Sequence, residues 1–255
     1  MTSKSLIERE INNHDKENPV VVIFSSQGSA LLPIILKEFS VRNISVAANI
    51  LDGSLDDRSK SIQVDRTLGF FDWPDFDDIE SYMIPRYDVT NHNGDDTVDI
   101  LNKLKVDIII NAGTPRILKK HILDIPTQGV VNTHPGILPA YRGCTAVEWS
   151  LYNNDPVGAT CHFMMEGIDE GPIIYSEIMP VVRGDQYEAV RANMIYHWAS
   201  VTAKGVEKII KDGSTMYSLP LQDVGMYYEV IPEDKLIAVK EKLLKGLYKC
   251  YITSV

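Results

Sequence analysis

Short apolar runs punctuate this chain and alternate with stretches in which apolar residues recur every three or four positions. The run at 20–24 is apolar throughout, and further runs lie at 46–51, 106–111, 129–132, 160–164 and 173–182. Apolar runs without polar alternation predict strands covered on both faces, as in a parallel sheet. Between them, helical spacing marks 30–39, 95–105 (Val98, Leu101, Leu104) and 187–211 (Val190, Met194, Trp198, Thr202, Ile209). The first strand and helix are joined by Ser25-Ser26-Gln27-Gly28-Ser29, with Ser29 placed to cap the helix through its hydroxyl. Strands alternating with helices predict an α/β, Rossmann-like fold, a mainly parallel sheet with helices on both faces and a short C-terminal tail. The acidic segment 52–87 has no clear period, and Asp72, Trp73, Pro74 and Asp75 read as a loop. We divide the chain into an N-terminal extension (1–18), a main domain (19–213) and a tail (214–255) packed on it. The tail carries Tyr227, Tyr228 and a helix at 232–245.

Charge narrows the partners. Thirty-five acidic residues against 25 basic ones give a formal net charge of -10, which repels phosphate backbones and disfavours a nucleic-acid partner. Cys144, Cys161 and Cys250 are widely separated and show no zinc-type spacing, as expected for reduced thiols. The first residues lack a signal peptide's apolar core, and no run approaches the ~20 apolar residues of a membrane span. The expectation is a cytoplasmic protein with no membrane partner; a homodimer stays open.

The unusual residues cluster in Asn132-Thr133-His134-Pro135-Gly136-Ile137-Leu138-Pro139-Ala140-Tyr141-Arg142-Gly143. This string starts at the carboxyl end of a predicted strand, where open α/β sheets place ligands. Alternation puts Asn132 and His134 on one side of the backbone. Acyl transfer needs a fixed donor for an oxyanion and a group titrating near neutrality, which Asn132 and His134 could supply. A satisfied polar pair fits the same residues. A second string, Glu166-Gly167-Ile168-Asp169-Glu170-Gly171-Pro172, offers Asp169 as a carboxylate to orient an imidazole; a hairpin with solvated acids is the plainer reading.

Taken together, three strings resemble the folate-dependent formyltransferases: NAGTPRIL (111–118), NTHPGILPAYRG (132–143) and GATCHFMMEGIDEGPII (158–174). They occur in that family's order and spacing. The resemblance implies an N-formyltransferase using 10-formyltetrahydrofolate, with Asn132, His134 and Asp169 catalytic. It implies a folate pocket at Pro115, Arg116, Ile117 and Leu118, completed by Met165, Glu166, Gly167 and Ile168. His162 reads as structural support. His134, His162 and Asp169 would also suit a metal by residue type, but the loop pattern accounts for them without one.

For the acceptor, the resemblance to glycinamide ribonucleotide enzymes is incomplete. Their first turn carries Gly-Ser-Asn for a phosphate; here Gly28 and Ser29 remain, as candidate substrate contacts, but Ala30 follows. Their late helix carries a Gln and a Glu, where this chain offers Tyr196-His197-Trp198. Methionyl-tRNA formyltransferases add a basic tRNA-gripping domain, and formyltetrahydrofolate hydrolases an N-terminal regulatory domain; neither matches this chain. The expected acceptor is therefore a nucleotide-linked 4-amino-4,6-dideoxy sugar, of surface-polysaccharide type, with Tyr227 and Tyr228 available to stack on a base. The alternatives are glycinamide ribonucleotide and, in another class, a non-catalytic folate-binding protein.

Overall fold

The computed structural model describes residues 18–29, 31–54, 57–72, 74 and 82–252, with side chains at 54 and 57–60 excepted. Ala30, Trp73, Asp75 and all of the N-terminal extension but residue 18 lie outside these residues. In chain order the strands are β1 (Val21–Gln27), β2 (Ala48–Ser54), β3 (Arg86–Val89), β4 (Ile108–Asn111), β5 (Gly129–His134), β6 (Arg142–Gly143), β7 (Gly158–Phe163), β8 (Ile173–Ile178) and β9 (Tyr227–Tyr228). The helices are α1 (Leu31–Val41), α2 (Asp57–Thr67), α3 (Asp95–Leu104), α4 (Lys120–Leu123), α5 (Ala146–Asn153), α6 (Tyr187–Asp212) and α7 (Glu233–Leu244).

Seven strands form one sheet in the order β3-β2-β1-β4-β5-β7-β8. The first five run parallel, and β7 and β8 are antiparallel to their neighbours. Burial on both faces explains why the strands read as unbroken apolar runs. Val21, Ile23, Ile108, Ile110 and Val131 join α1, α5, α6 and α7 in one core; Val22, Phe24, Ile50, Ile109 and Val130 join α3 and α4 in the other. The chain moves outward from β1 through β2 and β3, then returns to β4 on the other side of β1. That reversal opens a crevice at the carboxyl ends of β1 and β4, the place such sheets keep for ligands.

The segment 52–87 contains more than the expected loop. It holds α2, a helix so polar that no apolar period exposes it in sequence, and the edge strand β3. A second, two-stranded parallel sheet pairs β6 with β9, so Arg142 and Gly143 lie beside Tyr227 and Tyr228. Gly225 makes this approach feasible: a Cβ there would sit 1.7 Å from the Pro139 carbonyl oxygen. Val239 and Leu243 of α7 are buried in the same core as Val147 and Leu151 of α5. No helix among the described residues is long and apolar enough to cross a membrane.

Candidate active site

Asn132 and His134 end β5 and face the crevice. Register places Asn132 opposite His162 of β7, and continuing the β4–β5 register puts Asn111 on its other side. These three polar side chains form a row across adjacent strands. Asn111 Nδ2 donates to Asn132 Oδ1 at 3.2 Å, and Asn132 Nδ2 reaches His162 Nε2 at 3.3 Å. His162 Nδ1 donates to the Phe163 carbonyl at 2.9 Å. Burial pushes the His162 imidazole down to about 4, against the pull of Asp169. It is therefore neutral at pH 7, and its Nε2 lone pair accepts.

His134 is buried and engaged through both nitrogens. Nε2 donates to the Tyr141 carbonyl at 2.5 Å, and Nδ1 lies 3.3 Å from Asp169 Oδ2. Burial lowers its pKa, while Asp169 and the Tyr141 carbonyl oppose that shift. The loop after His134 is fixed by Thr160, whose hydroxyl donates to the Gly136 carbonyl at 2.8 Å and accepts from Leu138 N at 3.1 Å. Position 136 admits only glycine, because a Cβ would lie 2.7 Å from the Ala146 Cβ and 2.8 Å from His134 Nε2.

Asp169 sits in the left-handed region at φ 55, a conformation aspartate tolerates better than most residues. Its Oδ2 accepts from Gly143 N at 3.0 Å, and its Oδ1 is 3.7 Å from His162 Nε2, beyond hydrogen-bond range. The loop around it is held from two sides. Arg142 donates to the Ile168 carbonyl at 3.1 Å and pairs with Glu170. From the tail, the Gln222 amide donates to the Asp169 carbonyl at 3.2 Å and to the Gly171 carbonyl.

Two cavities, each of about 370 Å³, meet at Asn111, Thr114 and Asn132. Pro115, Arg116, Ile117, Leu118, Met165, Glu166, Gly167 and Ile168 all line the same one, together with Met164, His162 and Asp169. Its rim is apolar and open, with Ile117 75% and Ile168 50% exposed. The Arg116 side chain turns away to the buried Asp52 carboxylate and the Thr90 carbonyl. Burial raises the Asp52 carboxyl, but Arg116 and the His92 N–H outweigh it and hold the group below its ordinary value. The Arg116 charge thus anchors the loop to β2.

The other cavity lies between α2 and α6 and contains His134. Gln63, Arg66 and Thr67 come from α2; Arg191, Met194, Ile195 and Trp198 come from α6. Arg191 Nη1 is 3.6 Å from Glu148 Oε2, and Glu148, itself buried, accepts from the Tyr187 hydroxyl at 2.7 Å. Burial raises the Glu148 carboxyl, yet Arg191 and the Tyr187 hydroxyl hold it below its ordinary value.

Several expected contacts fall elsewhere. Gly28 and Ser29 line neither cavity. The Ser29 hydroxyl donates to the Ala112 carbonyl at 3.1 Å, so it ties the turn after β1 to the turn after β4. Of the expected late-helix residues only Trp198 faces the cleft: His197 bonds the Glu177 carbonyl, and Tyr196 lies against Phe71. Tyr228 stacks on Tyr141 at 5.2 Å and packs near Trp149, so it holds the tail rather than presenting a free face. Arg66, Arg191 and Asn111 had no assigned part in the sequence reading. Asn111 was visible inside the string at 111–118; the two arginines had no local signal, because α2 and α6 meet only in the fold.

Against this geometry, residues 18–197 match the model of the formyl transferase family. The chain belongs to that family. It is 36% identical over 102 residues to a methionyl-tRNA formyltransferase from Syntrophus aciditrophicus, covering 40% of this chain and 33% of that protein. The chain thus spans about a third of that curated relative. A phosphoribosylglycinamide formyltransferase from Anaplasma phagocytophilum superposes with a TM-score of 0.58 at 22% identity, covering 83% of this chain and 100% of that one. A sugar N-formyltransferase from Shewanella sp. FDAARGOS_354 superposes with a TM-score of 0.56 at 17% identity, covering 83% and 77% respectively. The same fold therefore serves relatives named for different acceptors.

Proposed function

We propose that this formyl transferase moves the formyl group of 10-formyltetrahydrofolate onto the amine of a nucleotide-linked 4-amino-4,6-dideoxy sugar, with Asn132, His134 and Asp169 as catalytic residues. The observation that carries the proposal is the meeting of two unlike cavities at Asn132. One is rimmed by the exposed Ile117 and Ile168 and walled by Leu118, Met164 and Met165, which suits a flat pterin. The other is lined by Arg66 and Arg191, two arginines against the single buried carboxylate of Glu148, which suits an acceptor carrying phosphate.

The chemistry follows from the positions. The acceptor nitrogen attacks the formyl carbon, forming a C–N bond and placing negative charge on the formyl oxygen. Asn132 has a second amide hydrogen without a protein partner among the described residues, and it donates to that oxyanion. The amine proton leaves to the His134–Asp169 pair, whose two members line opposite cavities. Collapse breaks the bond to folate N10, which takes the proton back. In this arrangement His134 acts with Asp169 as the proton acceptor, because the Tyr141 carbonyl occupies its Nε2.

The sugar acceptor is favoured over glycinamide ribonucleotide because the Ser29 hydroxyl is engaged inside the fold and α6 presents Arg191 and Met194 to the cleft. Transfer should be measured in parallel with aminosugar nucleotides, glycinamide ribonucleotide and methionyl-tRNA. A higher specificity constant for either of the last two than for every sugar would overturn the acceptor. His134→Ala and Asn132→Ala should each lower turnover about 100-fold or more. Full turnover by either folded variant removes that residue from the mechanism.

A further inference from the structure

We infer that Asn111 is a positioning residue that sets which way round the Asn132 amide is held, through a one-directional hydrogen-bond relay fixed at both ends. The inference rests on the proposed role of Asn132 as oxyanion donor. That role requires the amide nitrogen, and not the oxygen, to face the junction of the cavities. An asparagine side chain has no intrinsic preference between its two orientations, which are related by a half turn and are nearly equal in shape. Something else must choose.

The choice is made first at the amino-terminal end. Gly113 N and Thr114 N lie 3.2 Å and 3.0 Å from Asn111 Oδ1. Backbone N–H groups only donate, so this oxygen must accept and Asn111 must present its nitrogen toward Asn132. It donates to Asn132 Oδ1 at 3.2 Å, which leaves the Asn132 nitrogen for His162 Nε2 at 3.3 Å. The other end makes the same demand independently. The Phe163 carbonyl can only accept, so His162 carries its proton on Nδ1, 2.9 Å away, and its Nε2 lone pair must accept from Asn132. Both ends require one polarity along β4, β5 and β7. Reversing Asn132 would set its oxygen against the His162 lone pair and its nitrogen against the Asn111 nitrogen, two repulsions at once.

Asn111→Asp reverses the relay with almost no change in volume. One carboxylate oxygen still accepts from Gly113 and Thr114, but the other now faces Asn132 and draws its amide nitrogen away from His162. His162 must then carry a second proton, on Nε2, because Nδ1–H stays on the Phe163 carbonyl. The test reads the protonation of His162 by nitrogen-15 NMR of the imidazole, alongside kinetics with a nucleotide-linked 4-amino-4,6-dideoxyhexose and direct folate binding. In the wild type the proton should be on Nδ1 and absent from Nε2 at pH 7. In Asn111→Asp Nε2 should be protonated as well, with Nδ1–H still on the Phe163 carbonyl, kcat about 100- to 1,000-fold lower, the range for a lost oxyanion donor, and the folate Kd within about 3-fold.

A wild-type His162 protonated at Nε2 would overturn the relay without any variant, which covers the case of Asn111→Asp failing to fold. So would a folded Asn111→Asp that keeps the wild-type tautomer or the wild-type kcat. A merely structural Asn111 would leave the tautomer where it is. Asn132→Ala separates the two ideas: full turnover there removes the proposed donor, while the imidazole spectrum still decides the relay.

Discussion

Gln222 offers a sharp test of how the Asp169 loop is held, because the isosteric substitution should be worse than truncation. Its amide nitrogen donates to two carbonyl oxygens, those of Asp169 and Gly171. Two neutral hydrogen bonds contribute about 0.5–1.5 kcal/mol each. Gln222→Ala therefore loosens the loop by about 1–3 kcal/mol, reduced where water reaches the vacated carbonyls. Gln222→Glu removes both donors and sets a carboxylate against two carbonyl oxygens. The Gln222 Oε1 is already buried without a partner, so the new carboxylate finds no donor on that side either. We expect kcat to fall about 5-fold and at most about 140-fold for alanine on the scale of 1.4 kcal/mol per factor of ten, and further for glutamate. Amide exchange across 165–171 should accelerate in the same order, with the midpoint of global unfolding little moved. Alanine and glutamate variants with equal kcat, or exchange unchanged in both, would refute the reasoning.

Three further outcomes follow from the site. His162 has a folded-state pKa depressed to about 4 from 6.5, so the unfolded chain takes up its proton first as pH falls. The stability advantage of wild type over His162→Gln should be full above pH 6.5 and shrink toward pH 4 in urea titrations; an advantage independent of pH contradicts a neutral buried imidazole. Ile117 is exposed at the rim of the proposed folate cavity, and Ile117→Trp should weaken folate binding by about 10-fold or more through overfilling, with thermal unfolding unchanged; unaltered folate affinity would misplace the pocket. Arg191→Ala should raise the acceptor KM more than it lowers kcat, as expected for a group that binds ground and transition states alike; an unchanged KM would remove Arg191 from acceptor binding.

The strands were legible because burial on both faces writes them as apolar runs, as in Val21–Gln27. That strand continues past the apolar run because Ser25 and Ser26 bond within the fold, to Asn49 and to the Gly113 carbonyl. That the residues of the proposed folate pocket share one cavity was legible for a similar reason, since 115–118 and 165–168 are contiguous strings. What escaped was everything assembled from distant, ordinary residues. α2 is polar and offers no period, so Arg66 was invisible, and Arg191 looked like any charge on a long helix. Gln222 sits in a stretch of tail with no pattern, yet it touches the loop of Asp169 from 53 residues away. Nothing in the sequence showed that the Ser29 hydroxyl donates to the Ala112 carbonyl, because that partner lies 83 residues on.

The pairing of β6 with β9 has a consequence for biosynthesis. A nascent chain emerging from the ribosome presents all seven strands of the large sheet by residue 178, and α6 by residue 212. At that moment Asn132 and His134 can already take their places, but neither Gln222 nor the partner strand of Arg142 and Gly143 exists. All strands of the sheet thus emerge well before the residues that hold the loops of Asp169 and Arg142. Once residues up to 221 have left the ribosome, the sheet strands and α6 are all outside it, while the contacts of Gln222 and of β9 with the Asp169 and Arg142 loops come only with residues 222 to 228.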